Sequence, residues 1–127
     1  MGNSQTADFS SPVQTIAGGT NWKQVSTGIR ASGAIKTDGT LWMWGRNSLS
    51  GGLGDGTTIS RSSPVQTIAG GNNWKQVSAG DQSVYGIKTD GTLWAWGRNL
   101  YGELGDNTTI SKSSPVQTIA GGNNWKQ

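Results

Sequence analysis

The chain has 127 residues, 31% hydrophobic and 13% charged, with 21 glycines, seven tryptophans, no cysteine and no histidine. That is one domain at most, and it excludes a disulfide framework, a thiol nucleophile, histidine-based zinc sites and imidazole acid–base chemistry. The net charge of +3 comes from ten Lys/Arg and seven Asp/Glu scattered singly, without the clustering that marks a nucleic-acid footprint, so no nucleic-acid partner is expected.

Residues 1–10 read as an N-terminal tail lacking the basic head and apolar stretch of a signal peptide. No apolar run approaches the roughly 18 residues of a membrane span. A soluble protein without a membrane partner, cytoplasmic or virion-associated, is expected. From residue 11 the chain repeats itself: Ser-Pro-Val-Gln-Thr-Ile-Ala-Gly-Gly occurs three times, with prolines at Pro12, Pro64 and Pro115. With Ser48 treated as an insertion, residues 12–63 align with 64–114, and 38 of 51 positions are identical. The division is therefore a first repeat at 11–63, a second at 64–114 and a partial third at 115–127. Differences concentrate in Ile29-Arg30-Ala31-Ser32-Gly33-Ala34 against Asp81-Gln82-Ser83-Val84-Tyr85-Gly86.

Within a repeat, Val13-Gln14-Thr15-Ile16 reads as an edge strand that starts beside a proline. Trp22-Lys23-Gln24-Val25-Ser26 is a second strand. The variable segment follows as a loop, and Ala34-Ile35-Lys36-Thr37 and Leu41-Trp42-Met43-Trp44 flank Asp38-Gly39, a hairpin signal that calls for positive φ. Leu41-Trp42-Met43-Trp44 and Leu93-Trp94-Ala95-Trp96 are apolar on both faces, so these strands must be covered above and below. Four short antiparallel strands per repeat of about 50 residues, with no helical periodicity, predict an all-β fold of β-propeller blades.

Trp96-Gly97-Arg98-Asn99-Leu100-Tyr101-Gly102-Glu103-Leu104-Gly105 resembles the Trp-Gly-x-Asn-x-x-Gly-x-Leu-Gly signature of the regulator-of-chromosome-condensation repeat family, and Trp44 to Gly54 carries it with Ser48 inserted. The resemblance extends over residues 11–127. The near-identical Ser-Ser-Pro-Val-Gln-Thr phrases look like bacterial or phage versions of the repeat. The family commonly places a histidine three residues after the strand-end glycine, where this chain has Ala31 and Ser83. Complete members close a seven-bladed ring from one chain, whereas this sequence supplies two blades and a third copy of the opening segment.

Trp22, Trp42, Trp44, Trp74, Trp94 and Trp96 are therefore expected to form inter-blade core. An indole buries about 150–250 Å², so at about 25 cal/mol per Å² two half-exposed indoles forfeit about 4 to 6 kcal/mol. The expectation is a cyclic homo-oligomer of three or four chains, the duplicated end supplying a closing strand; a fragment of a longer repeat array is compatible with it.

No residues for catalysis are visible. Gly51-Gly52-Leu53-Gly54-Asp55-Gly56 lacks the Lys-Ser/Thr of a phosphate loop and reads as a structural turn. Asp55 and Asp106 read as Asx-turn residues rather than metal ligands, Asp38 and Asp90 belong to hairpin turns, and no metal or cofactor is expected. Arg30, Asp81, Gln82 and Tyr85 in the variable segment, with Tyr101, are the candidate binding residues. The expected function is a non-enzymatic interaction protein presenting these loops to a protein partner. A carbohydrate-binding propeller using Tyr85 or Tyr101 as a platform is the alternative, and guanine-nucleotide exchange on a small GTPase is what the family's founding member implies.

Overall fold

The computed structural model describes residues 14–15, 19–47, 50–68, 71–120, 122 and 125. Within these residues lie two four-stranded antiparallel sheets, each ordered as in the chain: β1 (Trp22–Thr27), β2 (Ala31–Lys36), β3 (Leu41–Gly45) and β4 (Arg61–Gln66), then β5 (Trp74–Ala79), β6 (Ser83–Lys88), β7 (Leu93–Gly97) and β8 (Lys112–Gln117). The register repeats as the sequence does. Trp22 opposes Lys36 as Trp74 opposes Lys88, and Ala34 opposes Trp42 as Gly86 opposes Trp94. Among the described residues no helix is long and apolar enough to cross a membrane.

Three local expectations are corrected. Pro64 and Pro115 lie inside β4 and β8, not at their starts, and these strands end at Gln66 and Gln117 instead of running through 65–68 and 116–119. Each is an edge strand whose pairing shifts register, between Met43 and Gly45 and between Ala95 and Gly97, so the proline falls where no ladder donor is required. The first copy of this phrase lies outside the described residues except for Gln14 and Thr15, which are not in a strand, and Gly19. Second, the variable segment is largely strand, because β2 and β6 reach back to Ala31 and Ser83. Third, the Asp38-Gly39 turn is longer than a two-residue hairpin. The Lys36 amide donates to the Thr40 carbonyl at 3.0 Å, and only Gly39 takes a positive φ, of 84°. Asp38 does not take a positive φ, and its Oδ1 accepts from the Thr40 amide and hydroxyl at 3.0 and 2.7 Å.

The core lies between the sheets. Strand alternation sends Ile35, Leu41 and Met43 to one face of the first sheet and Trp74, Val77, Val84 and Trp96 to the facing side of the second, where with Leu53 they form one buried cluster. An aliphatic face thus meets an indole face. Polar ties cross the same seam: Gln24 Nε2 donates to the Val77 carbonyl at 3.1 Å, Gln24 Oε1 accepts from the Val77 amide at 3.2 Å, and Ser26 Oγ accepts from the Ala79 amide at 3.0 Å. The Trp74 amide donates to the Gly39 carbonyl at 3.0 Å, and Trp96 Nε1 to the Gly52 carbonyl at 3.0 Å.

The expectation that two blades alone leave these indoles partly in water is not met at Trp44, Trp74 or Trp96, which are 8%, 1% and 0% exposed, while Trp42 and Trp94 are half-buried. Trp96 and Trp74 are sealed against the first sheet, while the equivalent face of that sheet, with Trp22, Val25, Ala34 and Trp44, meets no further sheet among the described residues. Val25 is 64% exposed where its counterpart Val77 is 4% exposed, and the sequence around them, Trp-Lys-Gln-Val-Ser, is the same. Trp44 is nonetheless nearly covered, partly by an edge-to-face contact with Trp22 at 6.5 Å.

The glycine loop after β3 shapes the seam. Gly54 takes a φ of 68°, and a Cβ there would stand 2.8 Å from Trp96 Nε1. Gly54→Ala should therefore lower stability by about 2 kcal/mol through left-handed strain and displacement of the indole. Denaturant unfolding monitored by tryptophan fluorescence checks this; an unchanged midpoint would contradict the seam as described.

Candidate interaction site

One end of the stacked sheets gathers four connections: 28–30 and 80–82, each between the first two strands of a sheet, and the segments that follow β3 and β7. Each first connection is tied to the later one, the Arg46 amide donating to the Arg30 carbonyl at 2.7 Å and the Arg98 amide to the Gln82 carbonyl at 2.9 Å. Gly28 lets the two sheets approach, since a Cβ there would run into the Gly80 carbonyl oxygen.

Below these connections each later segment is built around a buried asparagine. Asn47 Nδ2 donates to the Thr57 and Ile59 carbonyls at 2.9 and 3.1 Å, and its Oδ1 accepts from the Leu53 amide at 2.9 Å. Asn99 repeats the pattern with Thr108, Ile110 and Leu104 at 2.9, 3.1 and 2.9 Å. A buried amide that uses both ends in this way fixes a long loop that has no ladder of its own. Asp55 closes the hub, accepting from the Thr57 amide at 3.0 Å, from Asn47 Nδ2 at 3.2 Å and from Arg61 Nε at 3.2 Å.

The candidate binding residues separate into two groups. Arg30, Asp81 and Gln82 come together: Arg30 Nε lies 3.0 Å from Asp81 Oδ1, and Gln82 Nε2 donates to Asp81 Oδ2 at 3.2 Å. Both side chains of that ion pair are more than a third exposed, so it adds under about 1 kcal/mol and serves mainly to fix where the charges stand. Tyr101 stands at the same end on the connection after β7. It is 82% exposed, with the Arg98 guanidinium 5.7 Å from its ring centroid and its amide donating to Glu103 Oε2 at 2.9 Å. The buried Nε of Arg98 has no hydrogen-bond partner among the described residues.

Tyr85 does not join them as a loop residue. It lies in β6, opposite Ala95 on the face away from the first sheet, with its hydroxyl donating to the Glu103 carbonyl at 2.8 Å. Burial, helped by the Glu103 charge, raises its phenol above the ordinary value. In the first sheet that pair is Gly33 and Met43, the bulk having moved to the opposite strand. At the positions where the family resemblance places a histidine, Ser83 Oγ donates to the Arg98 carbonyl at 3.0 Å, whereas Ala31 has no side-chain donor.

The six tryptophans divide by position. Trp74 and Trp96 lie in the seam, Trp44 is buried on the open face, and Trp22, Trp42 and Trp94 are half-buried. Lys36 Nζ stands over Trp22 and Trp42 at 5.1 and 4.5 Å, and Lys88 over Trp74 and Trp94 at 5.0 and 4.3 Å. Four of these indoles therefore also hold cations, a role that strand alternation alone did not predict. The asparagine hubs and the Gln24 clamp were likewise not singled out from sequence, although Asn47, Asn99, Gln24 and Gln76 recur at equivalent repeat positions.

The family model described as "Regulator of chromosome condensation (RCC1) repeat" matches residues 38–87 and 90–127, and a second model of the same repeat matches 74–103. The chain belongs to the RCC1 repeat family. It is 35% identical over 86 residues to the X-linked retinitis pigmentosa GTPase regulator homolog of Caenorhabditis elegans, covering 67% of this chain and 6% of that protein. It is 32% identical over 93 residues to the Ultraviolet-B receptor UVR8 of Arabidopsis thaliana, covering 72% and 21%. Prp20p from Saccharomyces cerevisiae, whose crystal structure was reported with its binding properties to Gsp1p and histones, superposes with a TM-score of 0.67 at 17% identity over 76% of this chain and 25% of that one. That likeness establishes an RCC1-type β-propeller fold, of which this RCC1-repeat chain spans a quarter or less of each protein named.

The carboxylates of the turns set the acid limit of the fold. Burial opposes the charge on Asp55 and Asp106. The threonine hydroxyl and amide two residues on, with Arg61 for Asp55 and Asn99 and Lys112 for Asp106, outweigh it and hold both below the ordinary value of 3.8. Asp38 and Asp90 are lowered by the Thr40 and Thr92 side chains and amides. Because the folded values are depressed, this stabilisation is present above 3.8 and is lost as pH falls through the folded values. Melting temperature should thus hold from pH 7 to about 5 and drop below about 4. Asp55→Ala should cost about 1–3 kcal/mol at pH 7 and flatten the acid limb, as read by thermal melts across that range.

Proposed function

We propose that the chain is a non-catalytic segment of an RCC1-type propeller, completed as a closed ring of three or four copies, that presents the loop end bearing Arg30, Asp81, Gln82, Arg98 and Tyr101 to a protein partner. The observation that carries this reading is the convergence of those side chains from both sheets onto one end. The Tyr101 ring is exposed there beside the Arg98 guanidinium, whose buried Nε has no hydrogen-bond partner among the described residues, and Arg30 is held by Asp81. Tyr and Arg are the residue types that most often anchor protein interfaces, because both bury large area for little lost rotamer entropy. The mixture of Arg30 and Arg98 with Asp81 and Glu103 suits a protein surface of mixed charge better than a phosphate backbone.

Relatives named as a GTPase regulator homolog and a light receptor, and a structural neighbour studied for binding Gsp1p and histones, support an interaction role. The partner's chemistry is read from this chain's own loops.

A protein array probed with the chain and with the Arg98→Ala/Tyr101→Ala double variant tests the reading. Binding that falls at least about tenfold in the variant, with unchanged thermal melting, is the expected outcome. Signal on a glycan array that disappears with Tyr101→Ala would replace the reading with carbohydrate recognition. Acceleration of nucleotide release from a small GTPase would replace it with exchange activity.

A further inference from the structure

We infer that the hollow between the loop connections of the two sheets, lined by Arg30, Arg46, Ser50 and Gly52, is a carboxylate-binding site that receives a glutamate or aspartate side chain of the protein partner. The inference rests on the reading of this loop end as a partner surface and names what that surface takes hold of.

The second repeat holds a template for such a site. There Glu103 lines the equivalent hollow with Gln82, Ser83 and Arg98, and its Oε2 accepts from the Tyr101 amide at 2.9 Å. The Glu103 amide, the Tyr101 amide and the Arg98 charge together outweigh desolvation and hold this carboxyl below its ordinary value. Two backbone N–H groups and a guanidinium are the donors a carboxylate needs to stay charged. With Ser48 as the insertion, Arg46, Ser50 and Gly52 stand where Arg98, Tyr101 and Glu103 stand. The first repeat therefore keeps the two amides and the arginine and lacks the acid.

The first repeat also has room for that acid. A Cβ on Gly52 would meet only the Gln82 carbonyl oxygen, at an ordinary 3.7 Å, and Gly52 does not take a positive φ. Its carbonyl is held by Trp96 Nε1 at 3.0 Å, which fixes the segment in place. The hollow has a volume of about 20 Å³, where one water needs about 10–15 Å³, so a carboxylate head enters and a sugar ring does not.

Charge agrees with size. Arg30 and Arg46 bring two positive charges to the lining and Asp81 one negative charge, a balance that one further carboxylate neutralises. Asp81 does not compete for the amides, because its two oxygens accept from Arg30 Nε and Gln82 Nε2 at 3.0 and 3.2 Å. Arg30 still has the other donors of its guanidinium. Ile29, next to Arg30 and 82% exposed, offers an apolar contact to residues flanking the incoming acid.

An amide NMR titration of the full chain with the peptide acetyl-Ala-Leu-Glu-Leu-Ala-amide tests the inference, with the glutamine form of the peptide and sodium acetate as parallel probes. The Ser50 and Gly52 amides should shift saturably with the glutamate peptide and stay in place with the glutamine one. Gly52→Glu supplies the acid from within and should weaken peptide binding at least about tenfold with thermal melting retained. Arg46→Gln should weaken it several-fold. Glu103→Gly should make the Tyr101 amide respond as well, by giving the second repeat the same hollow. Unmoved Ser50 and Gly52 amides, an equal response to the glutamine peptide, or a Gly52→Glu chain that binds as wild type would each overturn the inference. Acetate binding as tightly as the peptide would assign the hollow to a small free carboxylate and overturn the protein source. Array binding that depends on Arg98 and Tyr101 without these shifts would sink this site alone. Saturable shifts in a chain that captures nothing on the array would uphold the site and overturn the partner reading.

Discussion

The structure depends on one contact type: an aliphatic sheet face, carrying Ile35, Leu41 and Met43, laid against an indole face carrying Trp74 and Trp96. Only about a third of the residues are hydrophobic, so neither sheet can build a core within itself. Stability has to come from burying whole faces against each other, with tryptophan supplying the area that leucine and valine supply elsewhere. The Gln24 clamp and the Ser26 bond then fix the register, since a sheet displaced by one residue would leave the Val77 and Ala79 amides buried and unpaired.

That constraint explains where the glycines and asparagines sit. Gly28, Gly39 and Gly54 mark points where one sheet's loop meets the other sheet's backbone or indole at distances no side chain permits. The long connections after β3 and β7 cannot borrow a ladder, so each is wound around one buried asparagine and pinned by an aspartate. Rigid loops follow, and rigid loops can hold exposed charges and an exposed tyrosine in place without further packing.

Duplication also gives the chain unequal ends. Two nearly identical units, stacked in one direction, bury the aliphatic face of the first sheet against the indole face of the second and leave the indole face of the first, with Val25 64% exposed, without a further sheet against it among the described residues. The changed segment falls on this geometry in an informative way. Arg30 and Asp81 make a pair across the internal seam that their repeat equivalents, Gln82 and Ile29, cannot make. Divergence of the copies has therefore placed an ion pair across the internal seam that exact repetition of either unit would not give.

The repeat period, the alternation of Leu41-Trp42-Met43-Trp44, the turn role of Asp38 and Asp55 and the membership of an all-β propeller family were legible in the sequence, because each is set by interactions within a few residues or by a pattern that recurs in register. The placement of the proline inside an edge strand, the extension of β6 through Tyr85 and the split of the candidate residues into a loop group and a sheet-face residue were not. Each of those depends on which strand lies at the edge, where pairing shifts register and which face meets the other sheet. Local sequence determines how a strand alternates and where it turns; which of two near-identical faces, that of Val25 or that of Val77, is covered was decided only by tertiary stacking, because burial is a property of the neighbour and not of the residue.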